Sequence, residues 1–570
     1  MMGKDKTIMT LTPLDAFVFI LFLGMVLGIS LWAGRKEQTS EDYFLAGRQL
    51  TWPLIGFSLI ASNISTEHFV GMAGSAFGRV GLAIASYEWM SAITLVFVAW
   101  WLLPRFLKAG IYTMPQYLEF RYDSATRSIM AGYMMAAYII VFLATVLYSG
   151  SIALNAIFDM GGMLEARLGI DAERADSWAI IMGIWGIGIF AGSYTIYGGL
   201  KAVIWSDLIQ GSALLLGGAL VAILGLRVLG DGNLIAGWSN FSEHNADRLR
   251  VVLPWDDPDV PWLAVFIGGL WIPNLFYWGL NQFITQRTLA AKSLAEGQKG
   301  IFLAAWLKLL IPFIIVMPGI MAYQLYGDVI TDGDRAYPHM INELLPTSLR
   351  GVMFAALCGA VMSSFNSGLN SASTIFTIDL YRKYLVAESS PKHEVKVGRI
   401  ATGVIVIVAC LWAPVISRFE GVFHYIQEIW GFISPAIVAV FIAGMIFKHA
   451  PAIAAKVALV LGVVLYAMFR MPKWFYDAWY NRSYPDAESI AAPEGLFGVI
   501  YNFSGIAFLH HMGIIFLILM AVIYAFTVKC PLDKPVVMPV SEIDVEPHPR
   551  QYLWGGMLIA ATVCLYYIFW

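Results

Sequence analysis

Ala61-Ser62-Asn63-Ile64-Ser65-Thr66-Glu67-His68 interrupts an apolar stretch that begins at Trp52. Backbone groups inside a bilayer must be satisfied within the protein, so a spanning helix tolerates a polar break only where it is buried or lines a wet cavity. The next apolar stretch contains Glu88, and a carboxylate at membrane depth costs several kcal/mol unless it is paired or hydrated. Together the two features indicate that something polar binds in the middle of a membrane protein.

The composition is that of a polytopic membrane protein. The chain has 570 residues, of which 59% are hydrophobic and 13% charged, and its mean hydropathy is +0.69. A soluble protein of this length could not bury so much apolar surface. The net charge of −3 argues against a nucleic-acid partner. The cysteines lie in or beside apolar runs without paired spacing, which favours neither a disulfide framework nor a zinc site.

About 14 spanning helices are predicted by a window of about 20 apolar residues. They begin near Leu11, Trp52, Gly81, Thr126, Ala179, Ala202, Pro261, Gly300, Leu349, Val397, Gly421, Ile453, Gly495 and Tyr552. Lysine and arginine are more frequent in the loops that become internal if the N-terminus is outside. We therefore expect both termini outside, in a plasma membrane, or in the inner membrane if the source is a bacterium.

A second break is predicted in the seventh span, at Trp271-Ile272-Pro273-Asn274, because the proline removes a backbone donor. The second and seventh spans are five apart. Broken helices at matching positions in two halves are typical of transporters built from inverted five-helix repeats, whereas a simple packing kink is the alternative. We expect an all-α fold with repeats over 52–230 and 231–450. Residues 1–51 would add an extra first span, and 451–570 peripheral helices.

Polar residues inside the predicted spans form a candidate substrate site: Asn63, His68, Glu88, Ser91, Asn274, Lys308 and Gln427. They mix donors, acceptors and one charge of each sign, which suits a neutral ligand that bears many hydroxyl groups. An anionic ligand would require an excess of cations. Nearby aromatic rings could stack on a pyranose, although core packing is the simpler explanation for any single one: Tyr87, Phe276, Tyr277, Trp278 and Phe423.

A second set of residues suits a small cation. The run 360–367 places adjacent serine hydroxyls in the ninth span, and the break at 61–64 frees backbone carbonyls. A hard cation prefers such an all-oxygen cage, whereas a small-residue packing face is an equal alternative. Asp207 lies near a predicted inner membrane face, where it could pair with Lys201, be solvated, or take part in a second cation site.

Several stretches resemble the sodium/solute symporter family, and within it the sodium/glucose and sodium/galactose cotransporters. They are Glu41–Arg48, Asn63–Ser65 with His68–Gly71, Ala83–Ile93, Tyr197–Asp207, Asn281–Gln282 with Gln286–Lys292, Ser371–Tyr381 and Tyr425–Glu428. The resemblance implies the leucine-transporter fold with added peripheral helices. It also implies sodium-coupled import of a neutral hexose, galactose or glucose, by alternating access, with Na⁺ as the co-transported ion.

The resemblance also assigns roles to residues. The sugar contacts would be the seven polar residues above and Tyr277, which would also close the site from the inner side. The outer gate would consist of Met72, Tyr87 and Phe423. Sodium would bind the carbonyls of Ala61, Ile64 and Ala360 and the hydroxyls of Ser363 and Ser364. Asp207 and Ser367 match a second sodium site, although Asn366 stands where members with that site tend to have Ser or Thr.

The sequence leaves two alternatives to sodium-coupled hexose import. One is a sodium symporter for another solute, such as myo-inositol, proline, sialic acid or iodide, and the polar set narrows that choice to a hexose or polyol. The other is a sugar-gated sensor or channel that passes current without concentrating sugar. We do not expect an enzyme, because the sequence shows no nucleophile–base–orienter set and no nucleotide-binding loop. The expected partners are the sugar, sodium and the lipid bilayer, and the sequence does not identify a protein partner.

Overall fold

The computed structural model describes residues 12–35, 38–386, 388–418, 422–484 and 490–570, without the side chains of residues 156, 157, 418, 422–425, 427 and 428. Within these ranges the chain is helical, and its strand-like pairings are two isolated bridges, Leu50 with Ala291 and Leu253 with Pro261. Twelve helices of the described chain are long and apolar enough to cross a membrane. The predicted all-α polytopic class is therefore confirmed.

Two features each add one crossing to these twelve helices, which gives the predicted fourteen. The run Ala172–Leu229 is helical over 58 residues but turns at Gly199, where φ is 50° and ψ −145°. Tyr194 before the turn contacts Asn366, and Asp207 after it contacts Ser363. Because these two partners are one helical turn apart, the chain doubles back along the ninth span. The run therefore supplies the fifth and sixth crossings.

The second span supplies the other added crossing. It is not among the twelve helices because each of its two halves is too short to cross a membrane by itself. Its first half is Trp52–Asn63, and its second half is Glu67–Met72 continued by Ala73–Phe77. Ile64 between them is extended, with φ −75° and ψ 119°. The break predicted from Ser62, Asn63 and Ile64 is confirmed.

The break in the seventh span lies at 267–270, which is nearer the N-terminus than the predicted Trp271-Ile272-Pro273-Asn274. Its first helix is Trp262–Phe266, and the chain resumes as Trp271–Leu275 and Phe276–Leu280. Pro273 therefore lies in the first turn of the resumed helix, where its missing N–H has no partner to lose. The gap instead contains Gly269, whose backbone approaches the Leu509 carbonyl so closely that a Cβ there would lie 1.5 Å from the oxygen.

The remaining crossings are Pro13–Ala33, Gly81–Ala109, Ser124–Asn155, Leu294–Tyr326, Leu349–Tyr384, Pro391–Ser417, Val422–Ile446, Ala452–Ser483, Phe508–Lys529 and Gln551–Ile568. The thirteenth span was predicted to begin near Gly495, and that start is wrong. Gly495–Gly505 is a separate short helix, and the spanning helix begins at Phe508. The apolar run is continuous in sequence, so composition alone did not reveal the turn.

The ninth span is the centre of the bundle. The most apolar window of Leu349–Tyr384 is 94% buried, whereas that of Pro13–Ala33 is 17% buried. A helix that is buried all round in a membrane protein contacts other helices rather than lipid. Its small and hydroxyl-bearing residues therefore face the protein, which is the environment that a polar site needs.

An ion cluster ties the short helix Met114–Arg121 to the fourth and ninth spans. Arg127 contacts Glu119 and donates to Asp379 with Nε–Oδ1 2.6 Å, and Lys383 also contacts Glu119. Burial alone would raise the pKa of Glu119, but hydrogen bonds from Lys383, Ser124 and Arg127 lower this pKa to about 2. Glu119 therefore stays ionised at physiological pH.

The turn at Gly199 leads to a stability prediction. A side chain at this positive φ costs about 1–3 kcal/mol, and a Cβ would lie 2.3 Å from the Tyr43 carbonyl oxygen. We expect Gly199→Ala to lower the melting temperature of the detergent-solubilised protein. Gly186→Ala on the same helical run is the control, because nothing lies within 4 Å of its Cβ position. Equal melting temperatures for the two variants would contradict the account of the turn.

Candidate functional site

The two broken spans and two of their neighbours bring the predicted substrate residues together. Asn63 ends the first half of the second span, and Asn274 lies in the resumed part of the seventh. Glu88 lies in the third span and Lys308 in the eighth, both buried. These four residues are far apart in sequence, so only the packing of the helices makes them neighbours.

The centre of the site is an ion pair. Lys308 Nζ contacts Glu88 Oε2 and also Asn63 Oδ1. The side chains of Lys308 and Glu88 are 1% and 4% exposed, respectively. An isolated charge here would be costly, whereas a paired and hydrogen-bonded one is tolerated. The Lys308 ammonium also lies 5.0 Å from the ring centre of Trp278, which adds a cation–π contact.

His68 completes the shell around Glu88. Its Nε2 lies 3.5 Å from Glu88 Oε1, and the Ser65 backbone N–H donates to its Nδ1 at 3.4 Å. Because Nδ1 accepts a hydrogen bond, the proton of a neutral imidazole belongs on Nε2, where it points to the carboxylate. In either protonation state His68 Nε2 faces the carboxylate, and Lys308 supplies the ion-pair partner of Glu88.

A second group of contacts links the break to the seventh span. Asn63 Nδ2 donates to the Tyr277 hydroxyl at 3.0 Å, and Ser91 Oγ lies 3.0 Å from Asn274 Oδ1. Asn274 Nδ2 is buried without a hydrogen-bond partner among the described atoms. A buried amide donor that lacks a partner is costly, so it is well suited to bind a ligand oxygen.

Of the predicted gate residues, Met72 is buried and Tyr87 is half-buried, with the Tyr87 carbonyl accepting from Ser91 Oγ at 2.6 Å. Tyr277 lies against Asn63, as described above. The side chains of Phe423 and Gln427 lie outside the described part of the chain. Seven of the eight predicted sugar contacts thus lie within one connected region: Asn63, His68, Glu88, Ser91, Asn274, Tyr277 and Lys308.

The predicted sodium ligands meet at the interface between the second and ninth spans. Ser363 Oγ lies 3.1 Å from the Ala61 carbonyl oxygen, and Ser364 Oγ donates to the Ser62 carbonyl at 3.2 Å. Ile64 and Ala360 are buried, 1% and 2% exposed. Ile64 follows the helix end, and Ala360 lies one turn before Ser364. The described contacts thus bring the two serine hydroxyls to the carbonyls of Ala61 and Ser62.

Asp207 belongs to a buried cluster beside these serines. Ser363 Oγ donates to its Oδ1 and Ser58 Oγ to its Oδ2, both at 2.5 Å. Arg287 Nη2 lies 3.0 Å from Oδ2, and both side chains of this ion pair are fully buried. Arg287 Nη2 also donates to Ser367 Oγ at 2.5 Å. Asp207 and Ser367, the two residues predicted for a second sodium site, thus lie together, and the Arg287 guanidinium contacts both of them.

Sequence reasoning missed Arg287. A basic residue that follows a spanning helix is usually an inner-face charge, and its carboxylate partner lies 80 positions earlier in the chain. The sequence feature that could have indicated a role for Arg287 was its position in Gln286–Lys292, one of the stretches that resemble the sodium/solute symporter family. Lys201, the partner considered for Asp207, forms no ion pair with it within the described residues.

The fold and the paired polar site define a membrane symporter, and comparison with known proteins identifies its family. The sodium:solute symporter family model matches residues 43–462, and the chain belongs to that family. Na⁺ is therefore the co-transported ion. The chain is 42% identical to the sodium/glucose cotransporter of Vibrio parahaemolyticus over 478 residues, which cover 80% of this chain and 84% of the relative.

A more distant relative and a solved structure agree with this assignment. The chain is 34% identical to sodium/myo-inositol cotransporter 2 of Homo sapiens over 488 residues, which cover 80% of this chain and 69% of the relative. A solved structure of a Na⁺-coupled sialic acid symporter in a substrate-bound, outward-open state has a TM-score of 0.72. That match covers 92% of this chain and 99% of the solved one at 22% identity, and it confirms the predicted leucine-transporter-like fold.

The central ion pair leads to a second stability prediction. Lys308→Ala would leave the Glu88 carboxylate buried without its cation, at a cost of about 3–5 kcal/mol. We expect a large loss of thermal stability, and most of it should return in the double variant Glu88→Gln/Lys308→Met. The control is Lys299→Ala on the same helix, because the Lys299–Glu296 pair is partly exposed and worth at most about 1 kcal/mol. A double variant no more stable than Lys308→Ala would contradict the pairing.

Proposed function

We propose that this protein imports a neutral hexose, galactose or glucose, together with sodium by alternating access. The observation that carries the proposal is the charge balance of the substrate region, where Glu88 and Lys308 neutralise each other. A sugar hydroxyl both donates and accepts, so it can bind the Glu88 carboxylate, the Lys308 ammonium and the Asn274 amide alike. A monoanion such as sialate or iodide would find no surplus cation there.

Myo-inositol is the second candidate. It is also neutral and rich in hydroxyl groups, and a relative at 34% identity is named for its transport. The higher identity to a sodium/glucose cotransporter favours a hexose as the first substrate to test. We also propose that Asn63, His68, Ser91, Tyr277 and Gln427 contact the bound sugar. A sugar-gated sensor is a further outcome that the uptake experiment below distinguishes.

Sodium would bind among the carbonyls of Ala61, Ile64 and Ala360 and the hydroxyls of Ser363 and Ser364. The ion would hold the broken second span against the ninth span and so favour the outward-open state. It can shift this equilibrium only by its difference in affinity for the two states. Asn63 lies at the end of the same half-helix and contacts Lys308 and Tyr277. Ion binding would thereby position the sugar contacts.

Closure follows from the same arrangement. Met72, Tyr87 and Phe423 would seal the sugar from the outer side, and opening of Tyr277 on the inner side would release it. We also propose that the chain resides in the plasma membrane, or the bacterial inner membrane, with both termini outside. The first repeat would span 52–230 and the second 231–450.

One sodium ion is sufficient to drive useful accumulation. A potential of 100 mV supplies about 2.3 kcal/mol per charge. A tenfold sodium gradient adds about 1.4 kcal/mol, and the sum corresponds to a roughly 500-fold sugar gradient. A second ion near Asp207 and Ser367 would have to displace or coexist with the Arg287 guanidinium.

The direct test is uptake of radiolabelled galactose and glucose into proteoliposomes. An inward sodium gradient should give accumulation above equilibrium, and an equal potassium gradient should not. Competition by unlabelled glucose, galactose and myo-inositol then ranks the substrates. Sodium-driven accumulation of inositol alone would replace the hexose assignment, and a sodium current without accumulation of any sugar would favour the sensor.

The sodium ligands lead to a third prediction. Ser364→Ala removes one oxygen from the cation, and a hydrogen-bond-like contact to a charge is worth about 1.5–3 kcal/mol. We therefore expect the half-saturating sodium concentration for uptake to rise at least about tenfold. The control is Ser373→Ala on the same helix, because Ser373 Oγ donates only to the Gly398 carbonyl, at 2.8 Å. Equal sodium dependence in both variants would place the cation elsewhere.

A further inference from the structure

Glu67 is the one acidic side chain near the two sites that lacks a basic partner among the described residues. Glu88 is paired with Lys308, and Asp207 is paired with Arg287. No described lysine, arginine or histidine comes within ion-pair distance of Glu67, and no charged group of the described chain acts on it. The buried pairs around it cancel, so a charge on Glu67 would have no compensating cation among the described residues.

The position of Glu67 relates this charge to the break. It is the first residue of the second half-helix, its backbone N–H donates to Ser65 Oγ at 3.2 Å, and its side chain is half-buried. It is three positions after Ile64, and three extended residues reach at most about 11 Å. Its carboxylate also acts electrostatically on the Tyr277 hydroxyl. Glu67 is thus within about 11 Å of the candidate sodium ligand Ile64 and acts on the candidate sugar contact Tyr277.

We propose that Glu67 supplies the counter-charge of the transported sodium ion. The inference rests on the proposed function, in which the ligands of the ion are carbonyls and hydroxyls without charge. An ion desolvated at membrane depth needs an opposite charge, and the nearest carboxylate, Asp207, is already neutralised by Arg287. An ionised Glu67 would in turn require a cation, because no described basic residue pairs with it. Sodium binding satisfies both groups together.

The proposal determines which step of the cycle responds to the membrane potential. With Glu67 ionised, the empty carrier holds one net negative charge at its centre, and the sodium-loaded carrier is neutral. The potential then acts on the return of the empty carrier. When Glu67 is neutralised by substitution, the loaded carrier is positive and the empty carrier neutral. The charge moved in a complete cycle is the same, but the voltage-dependent step changes.

The test compares Glu67→Gln with wild-type protein in proteoliposomes. At saturating galactose, Glu67→Gln should raise the half-saturating sodium concentration on the order of tenfold, as expected for one charge about 10 Å away at an effective dielectric constant near 20. Glu165→Gln, which removes an exposed charge, is the matched control and should have no effect. Glu67→Ser is a second neutral variant in case the glutamine variant does not fold.

A second readout isolates the loaded carrier. In equilibrium exchange, with equal sodium and galactose on both sides, only the loaded carrier crosses. Wild-type exchange should not change between 0 and −100 mV, whereas Glu67→Gln exchange should change. Wild-type protein without sodium-driven uptake would refute the proposed function itself. Active wild-type protein with unchanged sodium affinity and voltage-independent exchange in both neutral variants would refute only the role of Glu67. A rise in galactose half-saturation at saturating sodium, without a change in sodium affinity, would make Glu67 a sugar ligand instead.

Discussion

A helix can stop halfway across a bilayer only if the backbone groups that it frees find partners inside the protein. The second span stops at Asn63, and the hydroxyl groups of Ser363 and Ser364 of the ninth span contact its carbonyls at Ala61 and Ser62. Gly211 of the sixth span lies against Ala61 so closely that a Cβ there would be 2.7 Å away. Three spans are therefore packed around one helix end, and the polar chemistry of the protein is organised around it.

Charge pairing is the second constraint that the bilayer imposes. The Glu88–Lys308 pair lies among the candidate substrate residues, where Lys308 contacts Asn63 at the break. The Asp207–Arg287 pair lies beside Ser363 of the ninth span. Each pair allows hydrogen-bonding groups to remain at membrane depth without net charge. The break joins the two regions, because Asn63 contacts Lys308 while Ser62 and Ala61 contact the ninth span. The end of this half-helix is therefore the structural link between the two regions.

Sequence predicted much of this arrangement, since local composition carries the relevant physics. Apolar length gave the number of crossings, and polar residues at 61–64 marked the first break. The second break was misplaced because proline is the usual signal, whereas here Gly269 and its close approach to Leu509 occupy the gap. The short helix before Phe508 was missed because it is as apolar as a span. Arg287 was missed because its partner is set by tertiary packing, which a single sequence does not show.

The central claim is that the break couples sodium to the sugar, and linkage tests it most directly. Galactose affinity should be measured by calorimetry in sodium and in potassium, and sodium affinity with and without saturating galactose. Coupling through one conformational equilibrium requires the two ratios to be equal, and a coupling free energy of 1–3 kcal/mol would make each about 5- to 150-fold. Galactose that binds equally well in sodium and in potassium would contradict the account.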